Sequence, residues 1–268
     1  MTIDYEEDVD YEEEWEETEE DEYEGIRYMS LVMALRGRDG IILASDGRAL
    51  SGPKGQEIDI GPEKKIFRLG PHCAIGIGGD AGIGWTLSKR IMAALSAKGS
   101  RLTPNAIDDM GKICKTCYDE YFPRSDKIRR PALVLLIAGY ETITENVDMQ
   151  SISILESPSN FVPRSRQRAT FLGTATSVSE YWIKRLYHPQ MSLIDLSKLA
   201  AYLIIETATF DVHVDETIYI ARITREKGYE DLSVAETESI AQEVQRTRDL
   251  NVKLDEDLKR MLFSSSSP

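Results

Sequence analysis

The chain has 268 residues, 41% of them apolar, and a formal charge of -14 at pH 7. That length builds one large domain or two small ones, and no apolar run approaches the roughly 18 residues that a membrane-spanning helix needs. Three cysteines, an odd number, fit a reducing compartment, and the acidic N-terminus lacks the basic and apolar regions of a secretion signal, so the cytoplasm is the expected location.

The charge is concentrated at one end. Residues 1–25 hold fifteen Asp or Glu and no Lys or Arg, which leaves the remainder of the chain at +1. This is the composition of a solvated, disordered tail; the sharper reading is a leader that is removed or that occupies a partner's surface. No basic stripe appears in the body, so nucleic acid is not an expected partner.

Taken in order, Leu31 to Leu35 and Ile41 to Ser45 read as two strands joined by the tight turn Gly37-Arg38-Asp39-Gly40. Ser51 to Pro62, rich in Gly and Pro, reads as a loop. Strands follow at Lys65 to Arg68 and Cys73 to Ile77. From Asp80 to about Ala97, Ile83, Leu87, Ile91 and Leu95 recur every four residues, the mark of a helix with one buried face. Thr103 as N-cap and Pro104 at the first helical position open a second helix that runs to about Tyr121.

The unbroken apolar run Ala132 to Ala138 predicts a strand covered on both faces. Weaker strands are expected at Ser151 to Leu155 and Ala169 to Leu172. Ser177 with Glu180, and Ser192 with Asp195, have capping-box spacing and open a third and a fourth helix. Thr217 to Ile223 is a final strand. Residues 233–263 are charged, with a thin apolar line through Val244, Leu250, Leu254, Leu258 and Leu262, and predict a helix lying on the body or on a neighbour. Four strands, two helices, three strands, two helices and a strand imply sheets covered by helices rather than a doubly wound parallel sheet.

Several motifs are discounted. Gly76-Ile77-Gly78-Gly79-Asp80-Ala81 matches a loose dinucleotide fingerprint, but no acidic residue follows at the end of a second strand; the glycines mark a backbone that approaches something closely. Cys114 and Cys117 lie inside a predicted helix with no second ligand pair, and His72, His188 and His213 are scattered, so neither a zinc site nor a Ser-His-Asp triad is expected. What remains is a hydroxyl, Ser30, before the first strand and Asp46 at the end of the second. Antiparallel pairing brings these two together, and the pair Lys64-Lys65 opens the third strand, where one ammonium group favours the alkoxide.

From Ser30 to about Gly228 the chain resembles the proteasome beta-subunit family of N-terminal nucleophile hydrolases. The likeness rests on Met29 to Ala49, on Lys64-Lys65-Ile66, on Ile77-Gly78-Gly79-Asp80-Ala81, on Leu172-Gly173-Thr174-Ala175-Thr176 and on Asp211 ahead of the last strand. It implies an α+β fold, a four-layer αββα sandwich of two antiparallel sheets flanked by helix pairs. It also implies three segments: residues 1–29 as an acidic tail or propeptide, 30–228 as the hydrolase domain and 229–268 as a C-terminal helical extension with a flexible Ser-rich end.

By the same resemblance, cleavage of the Met29–Ser30 bond frees an α-amine of unperturbed pKa about 7.7 to 8.0, which takes the Ser30 hydroxyl proton. Ser30, in place of the family's usual Thr, attacks a peptide carbonyl, and the Gly78 N–H holds the oxyanion. Lys65 is then the cation beside the nucleophile, Asp46 orients it, and Thr174 and Asp211 surround the amine. Ala49, Glu63 and Asp80 would line the substrate pocket, favouring basic residues. The expected partners are a peptide or unfolded protein substrate and related subunits in a homo- or hetero-oligomeric ring, with no cofactor, metal or membrane. Met29 stands where active members usually carry Gly, Val214 replaces a hydroxyl residue, and Asp215-Glu216 replaces small glycines. A catalytically inactive structural subunit is the alternative reading.

Overall fold

The structure is a computed structural model that describes residues 30–51, 58–123, 130–144, 147–166, 168–173 and 176–263. Its first sheet contains β1 (Val32–Arg36), β2 (Ile41–Asp46), β10 (Ala169–Leu172), β11 (Ile218–Thr224) and β12 (Gly228–Asp231), in the order β10-β1-β2-β11-β12. The second contains β5 (Ile66–Gly70), β6 (Cys73–Gly79), β7 (Leu133–Thr144), β8 (Val147–Glu156) and β9 (Arg164–Arg166), in chain order. Every ladder in both sheets is antiparallel. A separate hairpin pairs β3 (Arg48–Ser51) with β4 (Ile58–Pro62).

Three apolar clusters correspond to the three interfaces of a four-layer stack. Val32, Ala34, Ile41 and Leu43 of the first sheet meet Ile66, Ala74, Val134 and Leu136 of the second in a fully buried seam. The alternate residues Met33, Leu35, Ile42 and Ala44 face α3 (Thr176–Leu186) and α4 (Leu193–Phe210). On the far side, Ile75, Ile77, Leu133 and Leu135 face α1 (Ala81–Ala97) and α2 (Pro104–Tyr121). Because successive strand residues point to opposite faces, both faces of these strands are apolar, which is why β1, β2 and β7 read as continuous apolar runs. The expected αββα sandwich is the observed one.

The helix signals act as read. Thr103 accepts the Ala106 N–H at 3.1 Å, and Ser192 and Asp195 form a reciprocal capping box. The hairpin tip adds a further cap: Asp39 Oδ1 accepts the Leu193 N–H at 3.0 Å, so the β1–β2 turn and the start of α4 fix one another. α5 (Val234–Phe263) lies on α4, with Val244 buried and the ion pairs Lys198–Glu243 and Arg248–Glu206 at 2.5 Å each.

Several expectations change. Ser51 to Pro62 is not all loop: Ile58–Pro62 forms β4, a surface strand whose Ile58 and Ile60 are exposed, so burial left no pattern to read. β7 runs on to Thr144 rather than ending at Ala138. Gly139 permits this, since a side chain there would strike the His72 carbonyl. β12 is an unforeseen strand; its Gly-led, charged sequence hides a ladder held by backbone pairing to β11. α3 begins at Thr176, so Ser177 lies inside the helix rather than capping it, while Glu180 pairs with Lys184 at 2.8 Å.

Candidate active site

Ser30 lies two residues before the first residue of β1 and is buried, 5% exposed. The β1–β2 ladder pairs Val32 with Ser45, so the chain leaving β2 passes beside Leu31: Asp46 N–H donates to the Leu31 carbonyl at 3.1 Å. In return, Asp46 Oδ1 accepts the Leu31 N–H at 2.8 Å, one residue after the hydroxyl. The same oxygen accepts from Lys65 Nζ at 2.6 Å, and Oδ2 accepts the Arg48 N–H at 3.1 Å. Asp46 is fully buried, and the Lys65 side chain is 10% exposed. Lys64 points the other way, to Asp231 at 2.6 Å, so of the two adjacent lysines only Lys65 enters the site.

The ionisation of this pair is a contest between burial and pairing. Burial pushes the Lys65 ammonium below the ordinary lysine value, and Asp46, then Asp215 and Glu63, pull it back. Burial likewise raises the Asp46 carboxyl, against Lys65 and the N–H groups of Leu31 and Arg48. Three hydrogen bonds to one carboxylate are what a buried charge requires. The pair therefore fixes a cation on the same carboxylate oxygen that accepts the N–H one residue after Ser30.

The other expected residues are placed as follows. Gly78 lies in β6, next to Ile77, whose N–H bonds the Lys65 carbonyl at 2.9 Å, so the β5–β6 pairing sets Gly78 beside the lysine strand. The glycine run marks close approaches: a Cβ at Gly76 would strike Val32 of the facing sheet, and Gly79, with φ of +95°, lies against the Ala132 carbonyl just before β7 of its own sheet. Asp80 caps α1, accepting the Ile83 N–H at 2.9 Å. Ala49 is buried in β3, opposite Gly61. Glu63 is exposed, with its N–H on the Gly47 carbonyl at 2.7 Å. Asp211 follows α4, and its Oδ1 receives the His213 N–H at 2.9 Å and His213 Nδ1 at 2.8 Å. Thr174 lies outside the described residues. Gly173, just before it, abuts the strand start: a Cβ there would fall 2.1 Å from the Ser30 carbonyl oxygen.

One residue of the site was not foreseen as part of it. Asp215 Oδ1 accepts the Gly47 N–H and the Thr217 N–H, both at 3.1 Å, and Oδ2 accepts from Thr217 Oγ1 at 3.2 Å. It therefore ties the β2 exit to the loop before β11 and sets a second negative charge toward Lys65. Its only trace in the sequence is an acidic pair where the resemblance leads one to expect glycines. Among the described residues no group of three His, Cys, Asp or Glu could hold a metal, and Cys73, Cys114 and Cys117 are buried free thiols.

Two face-to-face antiparallel sheets enclosed by helices, with a buried Lys–Asp pair where the first strand begins, define the N-terminal nucleophile hydrolase class of fold. A family model described as proteasome subunit matches residues 30–223, well over half of the chain, and the chain belongs to that family. The match starts at Ser30 and ends within β11, so the acidic segment and α5 lie outside it. A search of curated proteins returned no match.

Proposed function

We propose that the chain is a peptidase subunit of a proteasome-like ring, with Ser30 as a serine-type N-terminal nucleophile once residues 1–29 are removed. The observation that carries this reading is the buried Lys65–Asp46 pair, whose carboxylate also holds the N–H one residue after Ser30. The freed α-amine takes the hydroxyl proton, Lys65 stabilises the oxyanion of Ser30, and Ser30 Oγ attacks the substrate carbonyl. The Gly78 N–H receives the charge that develops on the carbonyl oxygen. The amine returns the proton to the leaving nitrogen, and water then releases the acyl group from Ser30. Thr174 and Asp211 orient the amine in this scheme, and Ala49, Glu63 and Asp80 contribute to the pocket.

Ser30→Ala should abolish both removal of residues 1–29 and cleavage of fluorogenic peptides, with the fold intact by circular dichroism. A Ser30→Ala protein that cleaves at the wild-type rate overturns the assignment. A second reading, a structural subunit that keeps its acidic segment, draws support from Met29 at the cleavage position and from Asp215-Glu216 near the last strand. It predicts a full-length chain inert toward peptides and inhibitors alike.

A further inference from the structure

The loop between α4 and β11 carries an aspartate and a histidine bonded to one another at the Ser30 end of the sandwich. α4 starts at the β1–β2 turn, where Asp39 accepts the Leu193 N–H, and its buried face packs along Met33, Leu35, Ile42 and Ala44. From Leu193 to Asp211 the helix covers about 27 Å, and the strand from Gly37 back to Ser30 covers about 23 Å, so both end at the same side of the fold. The remainder of the loop agrees with this placement. Asp215 accepts the Gly47 N–H, and Ile218 pairs with Asp46.

Asp211 is pinned there through main chain and side chain alike. Its N–H donates to the Thr207 carbonyl at 2.9 Å, and its carbonyl accepts the N–H of buried Val214 at 3.1 Å. Oδ1 accepts two donors from a single residue, the His213 N–H at 2.9 Å and His213 Nδ1 at 2.8 Å. A carboxylate oxygen only accepts, so the ring nitrogen facing it carries a proton. Two donors on one oxygen fix the plane of the carboxylate, and with it the direction of Oδ2. The Asp211 side chain is 12% exposed and that of His213 28%, which puts the ring on the outer side of the pair.

We propose that His213 is a positioning residue for peptide hydrolysis, its Nδ1–H holding the Asp211 carboxylate in the orientation that steers the α-amine of Ser30. The inference rests on the reading of Ser30 as an N-terminal nucleophile. In that scheme the amine takes the Ser30 Oγ proton and returns it to the leaving nitrogen, and both transfers need the amine lone pair held in one direction. His213 acts through Asp211 and exchanges no proton with the substrate. The amine exists only after the Met29–Ser30 bond is cut, so His213 serves turnover and not the removal of residues 1–29.

The test compares wild-type, His213→Phe and His213→Asn full-length chains. Intact mass reports removal of residues 1–29, and kcat and KM are measured on fluorogenic peptides with basic, acidic and apolar residues before the scissile bond. His213→Phe should lose residues 1–29 and keep its far-UV circular dichroism, while kcat falls about tenfold or more and KM stays within about twofold. His213→Asn, whose amide can donate from near the Nδ1 position, should restore most of the lost kcat. In an active wild-type background, an unchanged kcat in His213→Phe, an equal loss in Phe and Asn variants, a change confined to KM, or a His213→Phe chain that keeps residues 1–29 each overturn this inference while leaving Ser30 in place. A wild-type chain inert toward every peptide overturns the Ser30 reading, and the role of His213 falls with it.

Discussion

Replacing Lys65 by Met removes one charge of a buried pair while nearly preserving the shape of the side chain. Asp46, fully buried, would keep two of its three donors, the N–H groups of Leu31 and Arg48, and lose the ammonium at 2.6 Å. Breaking a buried pair from one side costs about 3 to 5 kcal/mol, and the two retained donors place this case at the low end, about 3 kcal/mol at pH 7. The dependence on pH has a definite sign. Burial already raises the Asp46 carboxyl above 3.8, and loss of Lys65 raises it further. A carboxyl whose folded pKa lies above its unfolded one stabilises the fold fully only below the unfolded value, and that contribution is lost as pH rises through the folded pKa. Chemical denaturation should therefore give a small Lys65→Met penalty near pH 4 that grows toward pH 7, and adding Asp46→Asn should recover part of it at pH 7. A penalty below about 1 kcal/mol at pH 7, or one flat across this range, would show that Asp46 is not held as a buried anion by Lys65.

Other consequences follow from single contacts. Asp215→Asn removes a charge from beside Lys65 while keeping an acceptor for the Gly47 N–H, so the Lys65 ammonium, followed by NMR of its Cε, should titrate at lower pH than in the wild type. An unchanged titration would remove Asp215 from the site. Gly173→Ala forces a Cβ onto the Ser30 carbonyl and should destabilise the fold by about 2 kcal/mol or more, read as a lowered Tm; an unchanged Tm would contradict the packing of β10 on the strand start. Burial pushes the Cys73 thiol up to about 12 and Cys114 higher still, so both stay protonated at pH 8. A disulfide reagent should leave them unmodified in the native protein and label them after denaturation, whereas rapid native labelling would refute their burial.

The sequence carries the layers of this fold more clearly than its site. α1 was legible from its apolar spacing, α2 and α4 from their N-cap residues, and β1, β2 and β7 because both faces of each strand are buried. β4 and β12 left no apolar pattern, since one is exposed and the other is charged and held by backbone pairing. In the site, Ser30 and Asp46 were brought together by antiparallel register alone, which the structure repeats in the Leu31–Asp46 bonds. Choosing between Lys64 and Lys65 needs the strand's facing, which two adjacent identical residues do not reveal. Asp215 was illegible as a site member because its role depends on a loop meeting the β2 exit, a contact 168 residues distant in sequence.

The central claim turns on one bond, Met29–Ser30, and the intact mass of the purified wild-type chain beside that of Ser30→Ala tests it directly. Catalysis by Ser30 predicts a wild-type species that begins at Ser30 and a Ser30→Ala species that keeps residues 1–29. A wild-type chain that retains the segment and does not react with hydroxyl-directed inhibitors would make the same hairpin and its buried Lys65–Asp46 pair a scaffold.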